Sequence, residues 1–230
     1  MEQFKRLLLL SLIGISISTK GQVHSGLLNI DKVEVILGAT STTFVGNDWN
    51  NYNKIKIGYS LGVGVGWSIS KKSSINLRCL VERKGIKFSS EVYYYDDAMQ
   101  QQKGTSSQIT NLNYLSFPLT FQYQIGQTAN KDFMIDGGPY FSYLYKAQAI
   151  SKDSWRPKEV YNRINDFKNI DYGLALWIAY CFNLKNDFSI KPWCSATFGI
   201  PSIGKESGST GFLNARNQSF AIGVTLIKFN

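Results

Sequence analysis

Apolar residues alternate with small or polar residues over residues 55–69, which read IKIGYSLGVGVGWSI. One set of side chains is aliphatic or aromatic, and the other is glycine, serine and lysine. Successive side chains of a β-strand point to opposite faces, whereas a helix would mix the two sets on its surface. The pattern therefore predicts one long amphipathic strand with an apolar face and a small, polar face.

The same alternation recurs along the chain. It predicts eight strands, at residues 32–42, 55–69, 74–90, 112–125, 132–147, 170–182, 188–199 and 216–229. The connections at 70–73, 126–131 and 183–187 are short, and those at 43–54, 91–111, 148–169 and 200–215 are long. Short turns at one end and long loops at the other are typical of outer-membrane barrels. We therefore predict an all-β fold, an eight-stranded antiparallel up-and-down transmembrane β-barrel with its short turns on the periplasmic side.

Composition agrees with this fold. Charged residues make up 18% of the chain, against about 25% in soluble domains, and the mean hydropathy of -0.15 excludes a bundle of membrane helices. Aromatic residues fall near both ends of the predicted strands, as in the aromatic girdles of membrane barrels. The alternative is a soluble barrel with an apolar interior. Its interior would need apolar side chains, but the predicted inward set is glycine, serine, glutamine and charged residues.

The amino terminus has the layout of a secretory signal peptide. Lys5 and Arg6 precede an apolar run at 7–17, and the small residues Thr19 and Gly21 follow it. The run is shorter than the roughly 20 residues that a helix needs to cross a bilayer. A short buried helix is the alternative. We predict a signal peptide over 1–21, a barrel domain over 22–230, and export to the outer membrane of a Gram-negative cell.

Four short segments follow one another along the chain: ERKG at 82–85, YLSFPL at 114–119, GGPY at 137–140 and DYGL at 171–174. In sequence and in order they resemble segments of the PorT-like outer-membrane β-barrel family of Bacteroidota. The resemblance covers most of residues 30–230 and implies an eight-stranded outer-membrane barrel. It implies no single biochemical activity, although some members of that family are linked to type IX secretion.

Charged residues on the inward parity of the strands are the first candidate site. They are Lys56, Arg78, Glu82, Lys84, Asp136, Lys146, Asp171 and Lys191. The interior of an eight-stranded barrel is just wide enough for side chains, and charges buried there must pair. We predict a polar network that plugs the lumen, with Trp177 and Trp193 filling the space beside the inward glycines. A narrow gated path for protons or small ions is the alternative.

Catalytic chemistry lacks the residues it would need. The sequence contains one histidine, His24, which precedes the first predicted strand, so a serine or aspartate in the barrel has no evident partner base. The spacing of Cys79, Cys181 and Cys194 matches no metal or redox motif, and these residues are interpreted as small buried apolar side chains. We therefore expect no enzymatic activity, no metal site and no cofactor. A lipid-modifying enzyme is the last alternative.

The outer loop at 148–169 is the second candidate site, because it interleaves aromatic and basic residues. Its candidate interaction residues are Trp155, Arg156, Tyr161 and Arg163. The expected partners are outer-membrane lipid, lipopolysaccharide and a protein of the envelope. Nucleic acid is not expected, since the net charge of +9 is dispersed along an exported chain. The predicted function is a non-enzymatic structural or interaction role; the alternatives are an accessory of type IX-like secretion and a narrow passive channel for small solutes or ions.

Overall fold

The structure is a computed structural model. It describes residues 30–46, 53–95, 98–128, 131–184, 187–205 and 214–230. The predicted signal peptide and His24 lie outside the described residues, so the division at residue 21 stays a prediction.

Eight long strands make up the fold. They are β1 (Lys32–Val45), β2 (Lys56–Ser68), β3 (Ser73–Tyr95), β4 (Gln101–Thr128), β5 (Lys131–Asp153), β6 (Ile170–Asn183), β7 (Phe188–Gly199) and β8 (Arg216–Phe229). Two short segments, Asn53–Lys54 and Glu159–Asn162, pair with the outer parts of β3 and β5. A 3-10 turn, Ile164–Asp166, lies in the connection before β6.

The strands form a closed antiparallel ring. Each of the eight pairs with the next in the chain, and β1 pairs with β8 from Lys32 opposite Phe229 to Val45 opposite Arg216. Closure satisfies the backbone groups that an open sheet leaves unpaired at its edges. The predicted all-β, eight-stranded up-and-down barrel is confirmed.

In the part of the chain that the structure describes, no helix is both long and apolar enough to span a bilayer.

Three strands extend five or more residues beyond their predicted ends. β3 and β4 keep pairing as far as Tyr95 opposite Gln101, so the prediction of a long loop at 91–111 is wrong. β5 likewise continues to Asp153. These extensions are rich in serine, glutamine and tyrosine, and apart from Thr110, Asn111 and Ala149 their side chains are exposed or half-buried. Without a buried face, apolar and polar residues have no reason to alternate, so the signal that predicts strands disappears.

The two faces of the barrel wall differ sharply in polarity. From Ile170 to Phe182 of β6, buried and exposed side chains alternate without a break, and the exposed set is Ile170, Tyr172, Leu174, Leu176, Ile178, Tyr180 and Phe182. The buried set includes Asp171, Trp177 and Cys181. An apolar exterior around a partly polar interior is the reverse of a soluble barrel, and it suits a wall surrounded by lipid.

Candidate functional site

Glu34 is the centre of a charged network inside the barrel, at the end with the short turns. Its side chain is fully buried, and it lies among cations from three strands. Its Oε2 accepts a hydrogen bond from Arg78 Nε at 2.8 Å, and its Oε1 accepts one from Lys191 Nζ at 2.8 Å. Lys32 Nζ lies 3.7 Å from the same Oε1. We call Lys32, Glu34, Arg78, Asp136 and Lys191 the Glu34 network.

Arg78 joins the two acids of this network. Its Nη2 donates to Asp136 Oδ2 at 2.5 Å while Nε remains on Glu34. The guanidinium carbon lies 4.8 Å from the centroid of the Trp177 ring, which gives the cation an aromatic face as well. Nη1 donates to Thr120 Oγ1 at 3.3 Å, so each of the three guanidinium nitrogens has a protein acceptor without water.

Glycines of β2 make room for the long cationic side chains. A Cβ atom at Gly64 would lie 2.9 Å from Arg78 Cγ, and one at Gly66 would overlap Lys32 Cε. Trp193 packs elsewhere, because its ring lies against Gly38 and Gly223. The expectation that tryptophans fill the space beside the β2 glycines is therefore wrong for Trp193: cations occupy the space beside Gly64 and Gly66.

A second polar network lies nearer the long connections. Glu82 Oε2 lies 3.2 Å from Lys84 Nζ and accepts a hydrogen bond from Ser116 Oγ at 2.6 Å. Ser142 Oγ donates in turn to Ser116 Oγ at 2.7 Å. Lys84 Nζ also lies 4.9 Å from the centroid of the Tyr140 ring. Each of these five side chains is buried.

Asp171 belongs to this outer network and is fully buried. Its Oδ2 accepts hydrogen bonds from Tyr140 OH at 3.2 Å and from Asn217 Nδ2 at 2.9 Å. Lys56 lies at the same level, and its Nζ donates to the backbone carbonyl of Lys84 at 3.4 Å. Hydrogen bonds from several strands thus stabilise a carboxylate that would be costly to bury alone.

Little space remains between the two networks. A cavity of about 20 Å³ lies beside Leu80, Trp177 and Trp193, with Arg78 and Glu82 also in its lining. The smallest cavity that holds one water molecule has about 10–15 Å³, so this cavity has room for about one water molecule.

An apolar layer covers the outer mouth of the barrel. Its buried members, the mouth cluster, are Phe44, Ile86, Leu112, Tyr114, Leu144, Ala147, Phe167, Ile203 and Ala215. Phe167 and Ile203 come from connections, and neither side chain is exposed to solvent. Backbone hydrogen bonds fix both connections: Lys168 N donates to Ile203 O at 2.7 Å, and Ile203 N donates to Ala215 O at 2.8 Å.

Lys146 does not lie inside the barrel, so its predicted inward position is wrong. Asn113 pairs with Lys146 but the next residue, Tyr114, pairs with Leu144, so Tyr145 is an extra residue in β5. This β-bulge leaves both Tyr145 and Lys146 exposed and turns Ala147 inward. The prediction carried a strict two-residue alternation through a position where a bulge shifts it by one.

Sequence reasoning missed two members of the Glu34 network, Lys32 and Glu34 themselves. The signal was present, since they share the buried parity of Ile36 and alternate with Val33, Val35 and Leu37. Phe167 and Ile203 were also missed as interior residues. The sequence does not single them out, because their connections contain other large apolar residues such as Ile164 and Ile200.

Of the four predicted outer-loop residues, Trp155 and Arg163 contact neighbouring side chains, and Arg156 and Tyr161 are exposed. Trp155 stacks on Tyr94 with ring centroids 4.6 Å apart, and Arg163 Nε lies 2.5 Å from Asp166 Oδ2. Arg156 is exposed, and Tyr161 is exposed on the short segment Glu159–Asn162, where its hydroxyl donates to Glu159.

The three cysteines are free thiols. Cys181 is buried, Cys79 is partly buried and Cys194 is exposed on the outer wall, which corrects the expectation that all three are buried. Within the described ranges, no group of histidine, cysteine and acidic side chains is arranged to hold a metal ion.

A closed antiparallel ring with an apolar exterior and a hydrogen-bonded interior defines a transmembrane β-barrel protein. The family model described as outer membrane protein beta-barrel domain matches residues 28–200, so the chain belongs to this family and is an outer-membrane protein. No curated protein matches the chain.

Similar solved structures include three outer-membrane barrels. Neisserial surface protein A is 12% identical, with 86% of this chain and 97% of that chain covered and a TM-score of 0.43. OprG from Pseudomonas aeruginosa is 13% identical, with 87% and 97% covered and a TM-score of 0.44. The outer membrane protease OmpT from Escherichia coli is 9% identical, with 89% and 99% covered and a TM-score of 0.40.

Proposed function

We propose that this protein is a non-enzymatic outer-membrane barrel that is closed to solutes and has a structural or interaction role. The observation that carries the proposal is that the interior is occupied at three levels, by the Glu34 network, by the outer polar network and by the mouth cluster.

The energetics of the Glu34 network support a closed lumen. A water path past Arg78 requires this cation to leave Glu34 or Asp136, both of which are buried. Separating a buried ion pair costs about 3–5 kcal/mol. Together with a cavity of about 20 Å³, this supports a plug over the alternative of a narrow passive channel.

The buried hydroxyls support a non-enzymatic role. Ser142 donates to Ser116 and Ser116 donates to Glu82, so the two serines form one hydrogen-bonded chain that ends on a carboxylate. Both serine side chains are inaccessible to solvent. A nucleophile needs access to its substrate as well as a neighbouring base. These hydroxyls instead satisfy the hydrogen-bonding groups of the barrel interior.

The sheet that protrudes beyond the barrel is the proposed interaction surface. It consists of the outer parts of β3, β4 and β5 and the segment Glu159–Asn162. Tyr93 and Tyr95 are each 69% exposed there, and Arg156 and Tyr161 are exposed on the neighbouring connection. Exposed aromatic and arginine side chains on a rigid scaffold are the residues that protein interfaces favour. A protein of the cell envelope is the proposed partner.

The affiliation with the PorT-like family of Bacteroidota stays part of the proposal, on the ground of the four sequence segments at 82–85, 114–119, 137–140 and 171–174. The secretion-accessory role that this resemblance implies predicts a partner in the type IX-like apparatus. Cross-linking and co-purification from the native outer membrane test it, with the protein lacking residues 91–104 as the control for contacts made by the protruding hairpin.

Conductance measurement tests the closed lumen. The mature protein is refolded into vesicles, its folding is checked by the shift between boiled and unboiled samples on a detergent gel, and the vesicles are fused to a planar bilayer. We expect no discrete conductance steps, while a large porin inserted in the same bilayer gives them. Reproducible steps from the folded protein would contradict the proposal and favour the passive channel.

A further inference from the structure

The β-bulge in β5 has a consequence on the outer wall of the barrel. It turns Lys146 outward, so that Arg83 of β3, Asn113 of β4 and Lys146 of β5 stand side by side in one row across three strands. The neighbouring row toward the short turns, Val81, Leu115 and Tyr143, is apolar or aromatic. On these three strands, the outer wall therefore changes from apolar to cationic between two consecutive rows of outward side chains.

This row lies near the outer edge of the apolar band. At roughly 3.3 Å per residue, Arg83 lies about 26 Å along β3 from Ile75, the first outward apolar residue of that strand. A strand tilt of about 35–45° reduces this to ~20 Å across the membrane, close to the ~25 Å apolar band of outer-membrane barrels. The long connections of such barrels face the outside, so the row belongs to the outer leaflet.

Arg83 is already oriented for a ligand. Its guanidinium carbon lies 5.0 Å from the centroid of the Tyr59 ring, and its Nε donates to Asn113 Oδ1 at 3.0 Å. These contacts leave the terminal guanidinium nitrogens as donors, while Asn113, which is only 3% exposed, orients Arg83. A side chain that is held in place before binding loses less conformational entropy when it binds.

The cations of the row have no counter-charge within the described parts of the chain. Neither Arg83 nor Lys146 lies within 4.0 Å of a carboxylate there, whereas Arg78 and Lys191 each contact one. The backbones of β3 and β5 are two strand spacings apart, or about 10 Å. At that separation, the long side chains of Arg83 and Lys146 can extend toward each other along the outer wall and contact one tetrahedral anion.

We propose that Arg83, which Asn113 orients, and Lys146 form a binding site for a phosphate group of an outer-leaflet glycolipid, the phosphorylated glucosamine of lipopolysaccharide. Arg83 donates to two phosphate oxygens, Lys146 supplies the second positive charge, and the ligand's acyl chains lie on the apolar wall below. The proposal uses the outward wall only, so it does not depend on a closed lumen.

Native mass spectrometry of the detergent-solubilised protein tests the site. The probes are lipid A with both phosphates and chemically dephosphorylated lipid A. We expect wild type to retain the phosphorylated lipid and to lose the dephosphorylated one. The Arg83→Gln/Lys146→Gln variant should lose affinity by about fivefold for each cation removed, which corresponds to ~1 kcal/mol per basic residue at an anionic lipid surface.

Lys152→Gln/Lys158→Gln is the matched control, because it removes two exposed lysines from the protruding region. An equal loss in this control would show that overall charge determines binding and would overturn the site. Equal retention of dephosphorylated lipid A would also overturn it, and displacement by millimolar inorganic phosphate would assign the row to a free anion. If the double variant fails to fold, Lys146→Gln alone, at an exposed position, should still lose about fivefold.

Discussion

Glu34 Oε2 and Arg78 Nε meet at 2.8 Å inside the barrel, although the two residues lie on β1 and β3 with the whole of β2 between them. They meet across Gly64 of β2, where an added Cβ would lie 2.9 Å from Arg78 Cγ and 3.3 Å from Glu34 Oε2. The contact therefore depends on three strands. β1 and β3 supply the two charges, and β2 leaves space between them because Gly64 has no side chain.

Glu34→Gln should destabilise the barrel by about 3–5 kcal/mol, because it leaves three buried cations with Asp136 as the remaining acid of the network. Urea unfolding in lipid vesicles, followed by tryptophan fluorescence, measures this loss. Glu91→Gln is the control, since the Glu91–Lys103 pair is 70% and 55% exposed and should contribute less than about 1 kcal/mol. Similar losses in both variants would contradict a central role for Glu34.

Gly64→Val should cost about 1–3 kcal/mol, because its side chain intrudes between Arg78 and Glu34. Gly137→Ala serves as the control: its Cβ would meet only Leu176 Cδ2, at 3.1 Å on the lipid-facing wall, and this flexible side chain can move. The same unfolding assay compares them. A Gly64→Val variant as stable as wild type would show that the contact between Arg78 and Glu34 does not require a glycine at this position.

Phe167→Ala should loosen the two connections that cover the mouth, because it removes a fully buried ring from the mouth cluster. Loss of a buried phenylalanine side chain costs about 3–5 kcal/mol, so local opening should increase at least tenfold. Tryptic cleavage after Lys168, in protein that stays folded, measures the opening rate. Ile170→Ala, an outward and 48% exposed position, should leave the cleavage rate unchanged.

Cysteine labelling checks the bulge in β5. In a background with Cys79, Cys181 and Cys194 replaced by alanine, Lys146→Cys should react with a water-soluble maleimide, because Lys146 is exposed beyond the apolar band. Ala147→Cys should stay unlabelled until the barrel unfolds, since Ala147 is fully buried. The reverse result would restore the uninterrupted alternation and place Lys146 inside.

The sequence predicted the strands that have one face against lipid and the other in the lumen. β7 and β8 begin and end at their predicted residues, and β6 extends one residue further. The outer parts of β3 and β4 were not predicted because neither face is buried over residues 91–95 and 101–109, so their pairing leaves no periodic pattern. Phe167 and Ile203 were not predicted because irregular connections have no periodicity that would tell a buried apolar residue from an exposed one such as Val160 or Ile200.

Alternation by itself therefore determined the fold class, the number of long strands and the inward position of Arg78, Asp136 and Lys191. It could not determine which charges meet, because contacts such as Glu34 with Arg78 and Lys191 depend on the register of a closed ring between residues far apart in sequence. It also could not place Lys146, because one extra residue in β5 reverses the facing of every later side chain. Local side-chain chemistry specifies strands and their faces, but only the closed tertiary structure sets the register that brings distant side chains together.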